Sequence, residues 1–109
     1  MIITTTPSID GHSIDHYLGV VTSEVVIGMN VVRDWFGALR DFFGGRTASW
    51  ERVLANARTQ ALQQLAQTGL KAGANAIVGV ALDYESVGRN GSMVMVTARG
   101  TAVQISRSR

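Results

Sequence analysis

From Tyr17 to Met29 the chain is rich in valine and isoleucine, with Gly19 and Gly28 set among them. That composition predicts one long strand or two short ones. Thr22-Ser23-Glu24, at its middle, is where a bulge or bend is expected. From Val31 to Phe43 the period changes: Val32, Trp35, Phe36, Leu39, Phe42 and Phe43 recur at helical spacing, while Arg33, Asp34, Arg40 and Asp41 take the other side. This predicts a short amphipathic helix, ended by Gly44-Gly45 and followed by a loop through Arg46 and Thr47.

A second, longer helix is the clearest element. Ser49 stands where a cap would, Glu51 falls in the expected first turn, and Lys71 with Gly73 closes it. Its apolar stripe reads Trp50, Leu54, Ala57, Ala61, Leu65 and Leu70, against Arg52, Asn56, Gln60, Gln63, Gln67 and Lys71. The small alanines imply close packing on a sheet. Asn75 to Tyr84 and Met93 to Ile105 then read as two strands of an antiparallel hairpin, with Gly88-Arg89-Asn90-Gly91 as the turn. Residues 1 to 16 read as an extended start, broken by Pro7 and by an Asp10-Gly11 turn.

The fold class is therefore α+β, and the length of 109 residues fits one domain over 1–109. Both faces of the strand Asn75 to Tyr84 are apolar: Ile77, Gly79 and Ala81 on one, Val78, Val80 and Leu82 on the other. One helix covers one face, so a lone subunit is expected to expose an apolar patch that a second copy covers. Only 17% of residues are charged, which agrees with surface hidden by self-association.

The net charge is only +2, and the nine arginines and single Lys71 form no basic run, so nucleic acid is not an expected partner. There is no cysteine, hence no disulfide and no thiolate metal site. Met1-Ile2-Ile3 and the threonines after it lack the pattern of an export signal. The longest apolar run, Ala76 to Leu82, is far short of the roughly 20 residues that span a bilayer. The expectation is a cytoplasmic protein that does not cross a membrane.

Asp10, His12, Asp15 and His16 are the dense cluster of metal-ligand types, suited to zinc, nickel or copper. In a helix His12 and His16 would share a face; in a strand their spacing sets them roughly 13 Å apart. Met93 and Met95, two apart on a strand, offer soft thioethers to one face, although methionine is commonly core filler. Arg33, Asp34 and Arg46 flank the aromatic helix and could receive an anionic ligand. No serine elbow and no helical His-Glu-x-x-His pattern occurs, and Gly44-Gly45-Arg46-Thr47 lacks the lysine and spacing of a P-loop. Asp83 and Glu85 could form a carboxylate pair, but the expected position is the solvent end of the hairpin. The chain is not expected to be an enzyme.

Phe43-Gly44-Gly45-Arg46, Gly73-Ala74-Asn75-Ala76-Ile77-Val78-Gly79-Val80, Asp83-Tyr84-Glu85 and Gly100-Thr101-Ala102-Val103 together resemble the YbjQ family of small bacterial proteins. So do Thr5-Thr6-Pro7, Tyr17-Leu18-Gly19-Val20-Val21 and Val32-Arg33-Asp34-Trp35-Phe36, in the same order along nearly the whole chain. The resemblance implies a β-α-β-β subunit, one long helix on an antiparallel sheet, assembled as a homopentameric ring. It also implies heavy-metal binding, with a divalent metal ion as the candidate cofactor. Some relatives carry cysteine where this chain has Leu18, so a thiolate-based function does not carry over. Two expectations result: a homo-oligomeric module binding a metal or small anionic ligand between subunits, or a structural ring whose surface serves another protein.

Overall fold

A computed structural model describes residues 1–28, 46–89 and 93–108, with residues 46–50 described by backbone alone. The elements are β1 (Ile2–Ile3), β2 (His12–Gly28), a helix α1 (Arg46–Lys71), β3 (Ala76–Val87) and β4 (Met93–Arg107). They form a four-stranded sheet in the order β1-β3-β4-β2. β4 pairs antiparallel with both long neighbours, from His12↔Arg107 to Gly28↔Met93 on one side and from Ala76↔Val103 to Val87↔Met93 on the other. The expected hairpin is present. The sheet is mixed rather than purely antiparallel, because β1 runs parallel to β3. The parallel alignment extends past β1, with Thr4 N–H donating to Ile77 O and Gly79 N–H to Thr6 O.

α1 is described over Arg46–Lys71, so Arg46 and Thr47 are helical rather than loop, and Ser49 is inside the helix rather than at its cap. Glu51 consequently falls beyond the first turn, which holds no acidic residue, while Lys71 does occupy the last turn. The stop is a Schellman motif: Gly73 at φ +89° lets Ala74 N–H reach Gly69 O at 2.9 Å and Gly73 N–H reach Leu70 O at 3.0 Å. The buried row is Val53, Ala57, Ala61, Leu65 and Gly69, each four residues from the last. Leu70, expected on the stripe, is exposed because the helix ends there and the row has turned to Gly69.

Against that row lie Val21, Ile77, Val80, Val96, Ala98 and Ala102 from the sheet. Ile77 and Val80 share this face although their spacing in a regular strand would oppose them. A bulge between Val78 and Ala81, where Gly79 takes φ +62°, restores the match. The far face is apolar too, as expected, but Ala76, Val78, Val103 and Ile105 there are packed by Ile9 and Ile14 of the same chain. Part of the patch assigned to a second copy is thus covered within the subunit. The bend expected at Thr22-Ser23-Glu24 is absent, since these residues pair without interruption with Arg99, Ala98 and Thr97. The irregularities in β2 come earlier, between Ile14 and His16 and between Tyr17 and Gly19, the latter at φ +108°. The amphipathic helix expected at 31–43 lies outside the described residues, as does part of the hairpin turn.

Candidate functional site

The metal-ligand cluster occupies the turn before β2 and the first residues of that strand. Gly11 at φ +75° closes the turn, His12 N–H donates to Ile9 O at 3.1 Å, and Ser108 N–H donates to Gly11 O at 2.9 Å. His12 is half-buried, and its Nδ1 donates to the Asp10 carbonyl at 3.0 Å. That bond leaves Nε2 of the neutral ring as the nitrogen able to ligate. Asp10, Asp15 and His16 are exposed.

Register decides which way each ring points. His12 pairs with Arg107, Ile14 with Ile105 and His16 with Gln104, so Asp15 is the extra residue of a bulge. Directly paired residues of antiparallel strands share a face. Arg107 alternates with Ile105 and Val103 on the far face, whereas Gln104 alternates with the helix-facing Ala102 and its amide donates to Gly73 O at the end of α1. His12 and His16 therefore point to opposite faces of the sheet. They do not fit one ion within a chain. Among the described residues, no three of His, Cys, Asp or Glu are grouped to hold a metal.

The other candidates are also placed. Met93 and Met95 are half-buried on the far face, where Met95 pairs with Val26 and Glu85, and Met93 with Gly28 and Val87. Asp83 and Glu85 share that face, and Asp83 forms an exposed ion pair with Arg99. Arg33 and Asp34 lie outside the described residues. Arg46 lies in α1.

Three features were not anticipated from the residue pattern. Ser23, buried, donates its hydroxyl to Ala61 O at 2.6 Å and ties β2 to the middle of α1. Asn75 acts as a surrogate strand residue: its Nδ2 donates to Ile105 O at 2.9 Å and its Oδ1 accepts from Ile105 N–H at 2.8 Å. An open groove of about 280 Å³ runs between the end of β2 and the first half of α1, lined by Val25, Val26, Ile27, Val53 and Ala57 together with Asn56 and Gln60. The valines and isoleucine were visible in sequence, but the groove depends on where α1 lies across β2.

Sheet order puts β2 at an edge, so one row of its backbone groups has no strand partner among the described residues. Along that edge Tyr17, Val20 and Val26 are 71%, 77% and 53% exposed.

A family model described as "Putative heavy-metal-binding", that of the YbjQ family, matches residues 1–106. Among solved structures, the chain is similar to a protein of unknown function of the DUF74 family from Pediococcus pentosaceus. The TM-score is 0.58 and the identity 22%, with 97% of this chain and 98% of that chain covered. At that identity the likeness concerns the fold.

Proposed function

We propose that this chain, which belongs to the YbjQ family, is the subunit of a homo-oligomeric and non-catalytic binding module, a pentameric ring, that takes up a metal ion or small anion where subunits meet. The observation that carries this reading is the exposed edge strand β2, where Val20 and Val26 stand open to solvent beside Thr22 and Glu24. Natural sheets protect long edges with proline, lysine or bulges. Here the bulges are confined to residues before Val20, and the register from Val20 to Gly28 is unbroken, with Val20 and Val26 open to solvent. Ligand uptake is supported by the family description.

The test is native mass spectrometry of protein purified without added metal. A closed multimer carrying a stoichiometric bound species is the expected result, and a bare monomer would refute it. A second reading, a ring that serves another protein and takes no small ligand, is favoured by the opposed faces of His12 and His16. In that case the multimer would appear with no bound species.

A further inference from the structure

We infer that the Asp15 bulge prevents a single subunit from chelating one metal ion with its two histidines, so that the family's heavy-metal description does not transfer to this chain as a site within a subunit. The limit is orientation rather than ligand type. Both imidazoles belong to one strand, but His12 stands opposite Arg107 on the far face and His16 opposite Gln104 on the helix face. Their partners Arg107 and Gln104 stand three residues apart on β4, roughly 10 Å of strand rise, which adds to the opposition of faces. Neither histidine has a second imidazole or a thiolate across from it, since its partners are Arg107 and Gln104. The inference does not depend on the ring: it holds for a monomer and for any multimer, and in a multimer it requires that two histidines on one ion come from different chains.

The experiment is calorimetric titration of the full chain with Zn²⁺ alone. A directly opposed residue on the neighbouring strand has its Cβ about 5 Å away on the same face, so Arg107→His should give His12 a partner and convert single-imidazole binding into chelation. Zn²⁺ affinity should then rise on the order of a hundredfold over the native chain, by the effective-concentration argument. Ser13→His is the second variant. Ser13 is exposed and pairs with Ser106, on the face of His16, so it offers the same gain at a different position. No gain from either variant, with both folded by circular dichroism, would overturn the face assignment.

If the native chain binds Zn²⁺ weakly, the inference stands. If it binds as tightly as Arg107→His, His12→Ala and His16→Ala chains are mixed. Recovery of tight binding on mixing means the two rings come from different chains, as inferred. Loss in each variant without recovery means one chain holds the ion with both rings, and the inference fails. Light scattering on the same samples reports separately on self-association.

Discussion

A Cβ placed on Gly69 of α1 would stand 2.8 Å from Ile77 Cδ1 of β3, closer than carbon atoms approach. Ile77 is fully buried, and on its other side a Cβ on Gly100 would stand 2.7 Å from its Cγ2. One isoleucine thus fills the space that two glycines leave, one in the helix and one in the central strand. This contact sets how closely α1 lies on the sheet.

The two glycines should respond differently to alanine. At Gly100 the new methyl also meets Val80 Cγ2 at 3.0 Å and the Val78 carbonyl at 3.2 Å, groups that β-branching and backbone hold in place. Gly100→Ala should cost about 1–3 kcal/mol as an overpacked core site. Gly69→Ala gains roughly 1 kcal/mol of helix propensity, which offsets part of its clash. Ile77→Val removes Cδ1 and should make Gly69→Ala less costly, with no such relief for Gly100→Ala. Urea unfolding of the double-mutant cycles measures both; strictly additive energies for Gly69 and Ile77 would contradict the packing described.

Asn75 replaces a strand residue with its side chain, so its loss leaves the Ile105 backbone unpaired in a part-buried position. Asn75→Ala should cost about 1–3 kcal/mol. Asn75→Asp keeps the acceptor for Ile105 N–H but sets a carboxylate oxygen against Ile105 O. Protonation restores a donor there, so the folded state should raise the introduced acid's pKa above the unfolded value of about 4. A raised folded pKa means that stability is retained below the unfolded pKa and lost as pH rises through the folded one. The variant should therefore lie closer to the native chain at pH 4 than at pH 7 in chemical denaturation.

Ser23 presents a simpler case. Its hydroxyl donates to Ala61 O, a mid-helix carbonyl that the helix itself can bond, so Ser23→Ala orphans no strong group. The expected loss is about 0.5–1.5 kcal/mol by thermal unfolding. A loss above roughly 3 kcal/mol would imply that the bond fixes the helix position, beyond the ordinary worth of a hydrogen bond.

How far the sequence could be read follows from the same residues. The long helix and the hairpin were legible because Ala57, Ala61 and Leu65 keep helical spacing and the strands are rich in β-branched residues. Its beginning was not, since Ser49 looks like a cap by composition while Arg46 and Thr47 are already helical. The three bulges were missed for a different reason: each shifts register by one residue, and composition is blind to register. Gly19 and Gly79 were the available signals, because both take positive φ beside a shift. Without the bulge at Asp15, the orientation of the two histidines could not be derived from their spacing. The packing of Ile9 and Ile14 over Val103 and Ile105 joins residues far apart in the chain, which periodicity alone does not reveal.

Self-association is the prediction with the widest consequence, and the structure indicates which substitution tests it. Val80→Asp is unsuitable: Val80 is buried against α1, so a charge there should unfold the subunit rather than separate subunits. Val26 is better. It pairs with Met95 on the face away from the buried α1 row and is half exposed, so Val26→Lys removes no buried core contact, although Val26 borders the groove between β2 and α1. Lysine on an edge strand is also a device by which sheets resist edge-to-edge pairing. If copies meet along Val20 to Gly28, that charge sits in the contact and should release it. A closed arrangement is required, since pairing that does not close would propagate into fibres. Light scattering coupled to size exclusion should find the native chain as a multiple of 11.7 kDa at micromolar concentration. Val26→Lys should shift it toward one subunit while circular dichroism stays native. A native chain that elutes as a folded monomer would refute self-association itself. A Val26→Lys chain that remains a multimer would leave self-association standing and move the contact away from this edge.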